Sequence, residues 1–367
     1  MRAVDLVKIG ARRLANEIRE EIYISGGPDG VKPQAIGAMV TERCNYKCLS
    51  CIFWRQESYP QEMELHQWQK ALRDLQEFLG GFTIQFSGGE PFVYRPFVPL
   101  VEWCGANGIR WGVTTNGSSL SRTHCERIAN ARPLNVNISV DGATAKVHDH
   151  SRGVPGSLDR IEQGILHLRE ARERLGADFA IRIKPTVHHL NVQEMPALVD
   201  WAVANGATSI DFSPVRDGTP EVQSVLWIHR SDDKSLHEAV ARLLELKRNG
   251  APIETEDSKI SSWPAHFRGE TVVPTMAPCR VGLRNYCILP DGRVRTCWMY
   301  PDIGSVVCSS AREIWEGDTA RAQRAEMMKC ANFGSIHCAS SCLAHRSIKQ
   351  DAKRALLLLS RRKGAPA

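Results

Sequence analysis

The strongest chemical signal in this chain is a group of three closely spaced cysteines, Cys44, Cys48 and Cys51. Cysteine thiolates are the ligands that iron–sulfur clusters use, and close spacing along the chain is the usual sequence sign of such a site. Three thiolates on a four-iron cluster leave one iron without a protein ligand, and that iron can hold a small chelating molecule. Zinc is the alternative, but it takes four ligands, and the next cysteine is the distant Cys104.

A second group of six cysteines lies in the last third of the chain: Cys279, Cys287, Cys297, Cys330, Cys338 and Cys342. The Asp-Gly pair at Gly292 predicts a hairpin that presents cysteines on either side of a turn. Four such thiolates can hold an iron–sulfur cluster or a zinc ion, so both alternatives stay open here. Cys104 and Cys125 lie in helical patterns and are expected to be small buried hydrophobic residues.

Composition and charge limit the classes of protein. The chain has 367 residues, of which 43% are hydrophobic and 24% charged, and its net charge is +6. The tail 346–367 alone accounts for this excess, which argues against a broad nucleic-acid-binding surface. No stretch approaches the roughly 20 apolar residues of a membrane span, and the start of the chain does not resemble a signal peptide. We therefore expect a cytoplasmic protein whose cysteines are ligands rather than disulfides.

Apolar, often β-branched runs alternate with helical periods along most of the chain. The predicted strands cover 35–40, 83–86, 110–115, 136–140, 179–187 and 209–212. Six repeats of this alternation predict an α/β fold with a parallel sheet and right-handed crossovers, curled into a partial (β/α)6 TIM-like barrel. Ligands of such folds bind at the carboxyl ends of the strands. The three-cysteine group directly follows the first predicted strand, so it lies at that end.

Five segments are predicted. A helical N-terminal segment covers 1–34 and the barrel covers 35–249. The segment 250–278 is rich in Pro, Ser and Thr and is expected to be a linker. A small cysteine-rich α+β domain covers 279–345, and the basic tail 346–367 has the pattern of a helix with a leucine face.

Polar residues and glycines follow the predicted strands. The second strand ends in Gly88-Gly89-Glu90, where glycines allow a backbone to approach a ligand and a carboxylate can accept a hydrogen bond from an ammonium group. Asn116 follows the third strand, and Asp141 the fourth. Taken singly, each of these residues is equally typical of an ordinary turn.

Together, the three-cysteine group and the Gly-Gly-Glu-Pro segment one strand later resemble the signature of the radical S-adenosylmethionine (radical SAM) enzymes. The resemblance implies a SAM-binding [4Fe–4S] cluster on Cys44, Cys48 and Cys51. It also implies an enzyme that cleaves S-adenosylmethionine reductively to a 5′-deoxyadenosyl radical, which abstracts a hydrogen atom from the substrate. An external electron donor such as flavodoxin or ferredoxin is then expected.

The resemblance also assigns the contacts of S-adenosylmethionine to eight residues: Gly88, Gly89, Glu90, Asn116, Ser139, Asp141, Arg152 and Phe53. The glycines and Glu90 are expected at the amino group, Ser139 and Asp141 at the ribose, and Arg152 at the carboxylate, which a guanidinium matches. Many relatives carry an aromatic residue before the third cysteine, but here it is Ser50. Phe53, or the adjacent Trp54, is therefore expected to contact the adenine.

The second cysteine group resembles the SPASM/twitch extension of radical SAM enzymes, which carries one or two auxiliary iron–sulfur clusters. By order, Cys279, Cys287, Cys297 and Cys342 fit one four-cysteine cluster. Cys330 and Cys338 remain as a pair, too few for a second fully ligated cluster. Either one auxiliary cluster is present, or a second one is incompletely ligated.

The substrate is predicted only by class. A small molecule, such as a natural-product intermediate or a sugar, is the first expectation, because only about 34 residues precede the first strand, too few for a peptide-recognition domain of the kind many peptide maturases carry. The auxiliary cluster would serve electron transfer or substrate binding. A peptide- or protein-modifying enzyme is the alternative, and a non-catalytic iron–sulfur or zinc module is a remote one. Lys184, Asp211 and Arg216 are the cavity residues expected to contact substrate.

Overall fold

A computed structural model of the chain describes residues 3–216, 222–270, 278–331 and 333. Cys338, Cys342 and the basic tail 346–367 lie outside the described residues, as does part of the predicted linker. Strands occupy β1 Ala35–Thr41, β2 Thr83–Gly88, β3 Arg110–Thr115, β4 Asn135–Ile138, β5 Ala180–Ile183, β6 Thr186–Val187, β7 Ser209–Ile210, β8 Ser213–Pro214, β9 Asn285–Ile288, β10 Arg293–Arg295 and β11 Gly304–Ser305.

The helices surround the sheet and include the predicted N-terminal one. They occupy α1 Ala3–Ile24, α2 Leu65–Leu79, α3 Phe97–Ala106, α4 Arg122–Asn130, α5 Ala145–Arg152, α6 Ser157–Arg174, α7 Met195–Ala204, α8 Asp233–Arg248, α9 Asp257–Ser261, α10 Trp263–Phe267, α11 Val281–Arg284, α12 Ala311–Glu316 and α13 Asp318–Met327. No described helix is both long enough and apolar enough to cross a membrane.

The local sequence explains where these helices begin, end and pack, as α2 illustrates. A capping box between Glu64 and Gln67 starts α2, and Gly80 with a φ of 71° ends it. Between these residues, Trp68, Leu72 and Leu75 recur at helical spacing and are buried against the sheet.

The main sheet is the predicted parallel one. Its strands β1, β2, β3, β4, β5 and β7 are neighbours in that order, and all pair in parallel. Side chains alternate along each strand, so that residues such as Phe86 and Trp111 are buried under the helices. This arrangement confirms the fold class predicted from the sequence, a partial barrel followed by a small C-terminal unit.

The fifth and sixth predicted strands are each interrupted. Pro185 has no N–H to donate, and the fifth strand divides there into β5 and β6. The sixth divides into β7 and β8, and β6 pairs with β8 in a separate two-stranded sheet. Lys184 and Asp211 occupy the two interruptions, which therefore lie side by side.

The C-terminal hairpin extends the barrel sheet instead of standing apart from it. Strand β9 pairs in parallel with β1, with Cys287 beside Gly37, and β10 pairs in antiparallel orientation with β9. Helix α1 fixes the same region, because Glu20 is fully buried and contacts both Arg280 and Arg284. The barrel and the cysteine-rich unit thus share one sheet.

The described part of the predicted linker is folded. Ile253 forms a bridge with Ile210, and helices α9 and α10 follow. The side chains of Ile260, Trp263 and Phe267 are buried in the main core. The Pro, Ser and Thr content suggested an open segment, but these large apolar residues provide enough burial to hold the chain on the barrel.

Candidate cofactor site

The three-cysteine loop begins directly after β1, at the carboxyl end of the parallel sheet. Cys48 is buried, while Cys44 and Cys51 are half-buried. The loop turns tightly, since the N–H of Cys51 donates to the carbonyl of Cys48 at 3.1 Å. Burial raises the pKa of Cys44 to about 11 and also raises the pKa of Cys48. These thiols therefore stay protonated at neutral pH until a metal displaces the proton.

The two glycines at the end of β2 bring the second motif against this loop. A Cβ added at Gly88 would lie 2.1 Å from the carbonyl oxygen of Thr41, and one added at Gly89 would lie 2.2 Å from that of Arg43. The N–H of Gly89 donates to Thr41 at 2.8 Å, and that of Glu90 donates to Arg43 at 2.9 Å. Only glycine allows this backbone contact immediately before Cys44.

Glu90 fastens the end of β2 to the end of β3. Its side chain is fully buried and accepts hydrogen bonds from Thr115 Oγ1 at 2.8 Å, from the Asn116 N–H at 2.6 Å and from the Phe92 N–H at 3.2 Å. Burial raises its pKa to about 7 despite these three donors. The expected contact of this carboxylate with an ammonium group stays a prediction.

Asn116 reaches the first cysteine from the end of β3. Its Nδ2 lies 3.8 Å from Cys44 Sγ and also donates to Asn45 Oδ1 at 2.9 Å. The backbone N–H of Tyr46 donates to the same sulfur at 3.4 Å. Cys44 therefore has two N–H donors, which stabilise a thiolate more than a neutral thiol.

Arg152 and Asp141 surround the second cysteine. Arg152 Nη1 lies 3.8 Å from Cys48 Sγ, and Arg152 Nε lies 2.9 Å from Asp141 Oδ2. The contact with Asp141 is an ion pair, because this Nε has no partner at hydrogen-bond geometry among the described residues. Burial lowers the pKa of Arg152, but Asp141 and Cys48 outweigh it, so the net pKa is raised.

The remaining expected contacts are less closely tied to the cysteines. Ser139 is half-buried just beyond β4, and its backbone N–H donates to Thr115. Phe53 begins a short 3-10 helix after the third cysteine and is half-buried, while the Nε1 of neighbouring Trp54 donates to the Cys48 carbonyl at 2.9 Å. Trp54 is thus the aromatic residue bonded to the cysteine loop.

Two buried histidines beside Asp141 were not assigned from the sequence. His148 Nδ1 accepts from the Asp141 N–H at 3.2 Å, and His188 is 1% exposed with no hydrogen bond to either ring nitrogen among the described residues. Burial lowers the pKa of both to about 4, so they are neutral at physiological pH. His148 belongs to the polar segment before Arg152, but spacing alone gave no reason to choose it.

Two of the three expected substrate residues come together in the barrel interior. Lys184 Nζ lies 2.6 Å from Asp211 Oδ2, and Thr255 Oγ1 donates to Asp211 Oδ1 at 3.0 Å. Arg182 and Glu254 form a second ion pair at 2.8 Å. Arg216 is exposed beyond β8 instead.

The second cysteine group assembles in part. Cys279 is buried in a small cluster against which Cys297 and Tyr300 pack, and the Tyr300 side chain hydrogen-bonds to Cys330. Cys330 is therefore close to this cluster, although its position in the sequence grouped it with Cys338. Cys287 lies on β9, where a Cβ added at the facing Gly37 would be 3.4 Å from its sulfur.

The described cysteines form no disulfide. No three His, Cys, Asp or Glu side chains among the described residues converge closely enough to hold a single metal ion. A four-iron cluster makes a different demand, because each thiolate binds its own iron and the sulfurs lie further apart. Three thiols on one loop, two of them with N–H donors, fit such a cluster.

Comparisons with known proteins agree with this chemistry. The model of the radical SAM superfamily matches residues 39–202, and the model of the SPASM iron–sulfur cluster-binding domain matches residues 279–343. An AdoMet-dependent heme synthase of Oleidesulfovibrio alaskensis is 32% identical over 152 residues, which cover 41% of this chain and 38% of that protein.

A maturase and a peptide cyclase are also among the relatives. Mycofactocin maturase MftC of Mycobacterium tuberculosis is 30% identical over 170 residues, covering 46% of this chain and 41% of MftC. PqqA peptide cyclase of Methylocella silvestris is 27% identical over 184 residues, covering 50% and 48%. The chain thus matches about half or less of the length of these curated relatives.

Solved structures share the fold. Streptococcus suis SuiB bound to S-adenosylmethionine aligns with a TM-score of 0.65 and 16% identity, covering 86% of this chain and 75% of SuiB. The structure of anSMEcpe with bound AdoMet aligns with a TM-score of 0.61 and 14% identity, covering 90% and 96%. The chain belongs to the radical SAM superfamily of enzymes, which use a [4Fe–4S] cluster and S-adenosylmethionine, and it carries a C-terminal SPASM domain for auxiliary iron–sulfur clusters.

Proposed function

We propose that this chain is a radical SAM enzyme whose substrate is a peptide. The main evidence for a radical SAM enzyme is the close backbone contact between the three-cysteine loop and the glycine turn at Gly88 and Gly89. This contact lies at the carboxyl end of a parallel sheet, where ligands of such folds bind. Cys44, Cys48 and Cys51 would hold the cluster. When bound, the cluster and S-adenosylmethionine supply a 5′-deoxyadenosyl radical that takes a hydrogen atom from the substrate.

The residues of the chain would orient these cofactors and exclude water. The backbone contact at Gly89 holds the end of β2 against the loop, and Glu90 ties that end to β3. Asn116 and Arg152 donate to two of the three cysteine sulfurs. This rigid support matters because a reactive site needs its groups held within a fraction of an ångström.

The peptide is favoured over the small molecule that the sequence first suggested. The relatives named mycofactocin maturase and PqqA peptide cyclase support it, since they match 46% and 50% of this chain. Two ion pairs, Lys184 with Asp211 and Arg182 with Glu254, would give a peptide substrate polar partners in this part of the barrel.

A tetrapyrrole is the second candidate substrate, because the relatives named as heme synthases are equally similar in sequence. Both candidates require the same cofactor chemistry. A protease digests a peptide but not a tetrapyrrole, so protease treatment of the substrate distinguishes the two candidates.

Iron and sulfide counting tests the cofactor part of the proposal. Anaerobically reconstituted wild type is compared with a variant in which Cys44, Cys48 and Cys51 are all alanine. We expect the variant to lose about four irons and to keep those of the auxiliary domain. A variant that retains the full iron content would refute the assignment of these cysteines.

Release of 5′-deoxyadenosine tests the substrate class. The reconstituted enzyme is incubated with a low-molecular-mass extract of the native cells, either untreated or digested with a protease that is then inactivated. For a peptide substrate, the extract stimulates release and digestion abolishes the stimulation. Stimulation that survives digestion would refute the peptide and favour a small molecule; the triple alanine variant is the blank.

A further inference from the structure

The pair formed by Arg152 and Asp141 contacts the second cysteine of the cluster loop. Arg152 is 9% exposed, and its expected contact with the carboxylate of S-adenosylmethionine stays a prediction. One of its terminal nitrogens lies 3.8 Å from Cys48 Sγ, and its Nε lies 2.9 Å from Asp141 Oδ2. The guanidinium therefore faces a cysteine of the cluster loop from the end of α5, 104 residues away in the sequence.

Asp141 is held in place as firmly as the arginine. Its Oδ1 accepts the backbone N–H of Thr186 at 2.8 Å, and its backbone carbonyl accepts from Asn191 Nδ2 at 2.7 Å. Asp141 is 2% exposed. Because both charges are buried, water and salt screen them weakly, and their fields act on nearby groups at nearly full strength.

The contact at Cys44 provides an internal comparison. Asn116 Nδ2 lies at the same distance from Cys44 Sγ as Arg152 Nη1 lies from Cys48 Sγ, 3.8 Å in both cases. Asn116 is neutral, whereas Arg152 carries a full positive charge. The donors to Cys44 and Cys48 therefore lie at the same distance from their sulfurs but differ in charge.

We propose that Arg152 and Asp141 set the reduction potential of the cluster held by Cys44, Cys48 and Cys51. Reduction adds one negative charge to the cluster. The guanidinium beside Cys48 stabilises that charge and raises the potential, while the carboxylate of Asp141 opposes it and limits the rise. Hydrogen bonds to the sulfurs and nearby charge are recognised means of tuning such clusters. In this role Arg152 tunes the cluster through its contact with Cys48.

The inference rests on the proposed function only for the presence of the cluster, and iron counting checks that presence independently. The test is a redox titration of the cluster, followed by electron paramagnetic resonance, in the reconstituted protein without S-adenosylmethionine. The triple alanine variant gives the auxiliary signal for subtraction. Wild type is compared with Arg152→Gln, Arg152→Lys, Asp141→Asn, Asn116→Leu and, as control, Arg174→Gln, an exposed arginine in the last turn of α6.

The expected shifts differ in sign. Arg152→Gln shifts the equilibrium at least tenfold toward the oxidised cluster. For a one-electron couple this lowers the midpoint potential by about 59 mV. Asp141→Asn shifts the titration in the opposite direction, because the guanidinium is no longer opposed. Arg152→Lys and Asn116→Leu give smaller falls, and Arg174→Gln stays within twofold of wild type.

Two results would overturn the proposal. One is an unchanged midpoint in Arg152→Gln together with at least tenfold weaker binding of S-adenosylmethionine by calorimetry, as expected for a carboxylate ligand. The other is a shift of Arg152→Gln and Asp141→Asn in the same direction. If Arg152→Gln loses its iron, the conservative Arg152→Lys and Asp141→Asn still decide through the sign of their shifts.

Discussion

Replacing Gly89 by alanine tests how the two strand ends are held together. The φ of Gly89 is in the ordinary range, unlike that of Gly88, which is 132°. Alanine at position 89 therefore adds a steric contact without backbone strain. Its Cβ would lie 2.2 Å from the carbonyl oxygen of Arg43 and 2.6 Å from that of Glu42. Both neighbours are backbone atoms, so no flexible side chain can move aside.

The size of the effect follows from these distances. The two segments must move apart by about 1 Å, which stretches the hydrogen bonds from Gly89 to Thr41 and from Glu90 to Arg43 beyond their normal range. Two lost bonds cost about 1 kcal/mol each, and overpacking adds about 1 kcal/mol more. A loss of about 3 kcal/mol corresponds to about 4 °C in Tm, given about 2.1 cal/mol/K of unfolding entropy per residue over 367 residues.

Calorimetry of the apoprotein and iron counting after reconstitution are the assays. We expect Gly89→Ala to lower Tm by about 4 °C and to lose iron at the three-cysteine loop, because Cys44 follows the displaced segment directly. Gly30→Ala is the matched control, since its φ is also ordinary and its Cβ would meet only Arg19 Cδ at 3.9 Å. If Gly89→Ala keeps both the wild-type Tm and the wild-type iron content, the close backbone contact does not support the loop.

Two further substitutions test buried carboxylates. Glu20→Gln should lower the free energy of unfolding by about 3 kcal/mol in denaturant titrations, because it removes the fully buried carboxylate that pairs with both Arg280 and Arg284; Glu21→Gln, which removes an exposed carboxylate 2.7 Å from Arg280, should change it by less than about 1 kcal/mol. Burial raises the pKa of Glu90 to about 7, so its ionisation favours the unfolded chain: this contribution to stability is complete below the unfolded pKa near 4.5 and is lost as pH rises to about 7. Relative to Glu90→Gln, wild type should lose about 1 kcal/mol per pH unit between pH 5 and 7, and parallel stability curves for the two proteins would contradict this.

The barrel strands could be predicted from the sequence because each one is a short run of residues with a recognisable local pattern. The run at 110–115 matches β3 residue for residue, since a buried strand needs only apolar and β-branched residues between turn signals. The joining of β9 to β1 was not predicted. Pairing between residues about 250 positions apart depends on register and neighbours, which no local pattern records.

The sequence identified residues of the site but did not predict which atoms they contact. The motifs identified Glu90 and Arg152, but which atoms they touch depends on the three-dimensional neighbours. Glu90 is occupied by Thr115 and Asn116, and Arg152 by Asp141 and Cys48. His188 was missed because a single buried histidine has no spacing signature. It follows β6, and the hydrogen bond from the Thr186 N–H of β6 to Asp141 brings this segment to the site.

Strand β1 links the two cysteine groups mechanically. One end of β1 leads into the loop of Cys44, while Gly37 near the other end pairs beside Cys287. Sheet side chains alternate, so a shift of β9 by one residue would turn Cys287 to the helix-covered face of the sheet. Buried Tyr286 and Ile288, which occupy that face, oppose such a shift because it would expose them to the barrel interior. The register that buries these two residues therefore also fixes the face on which Cys287 is presented, and it places Cys287 and the cluster loop on two directly paired strands of one sheet.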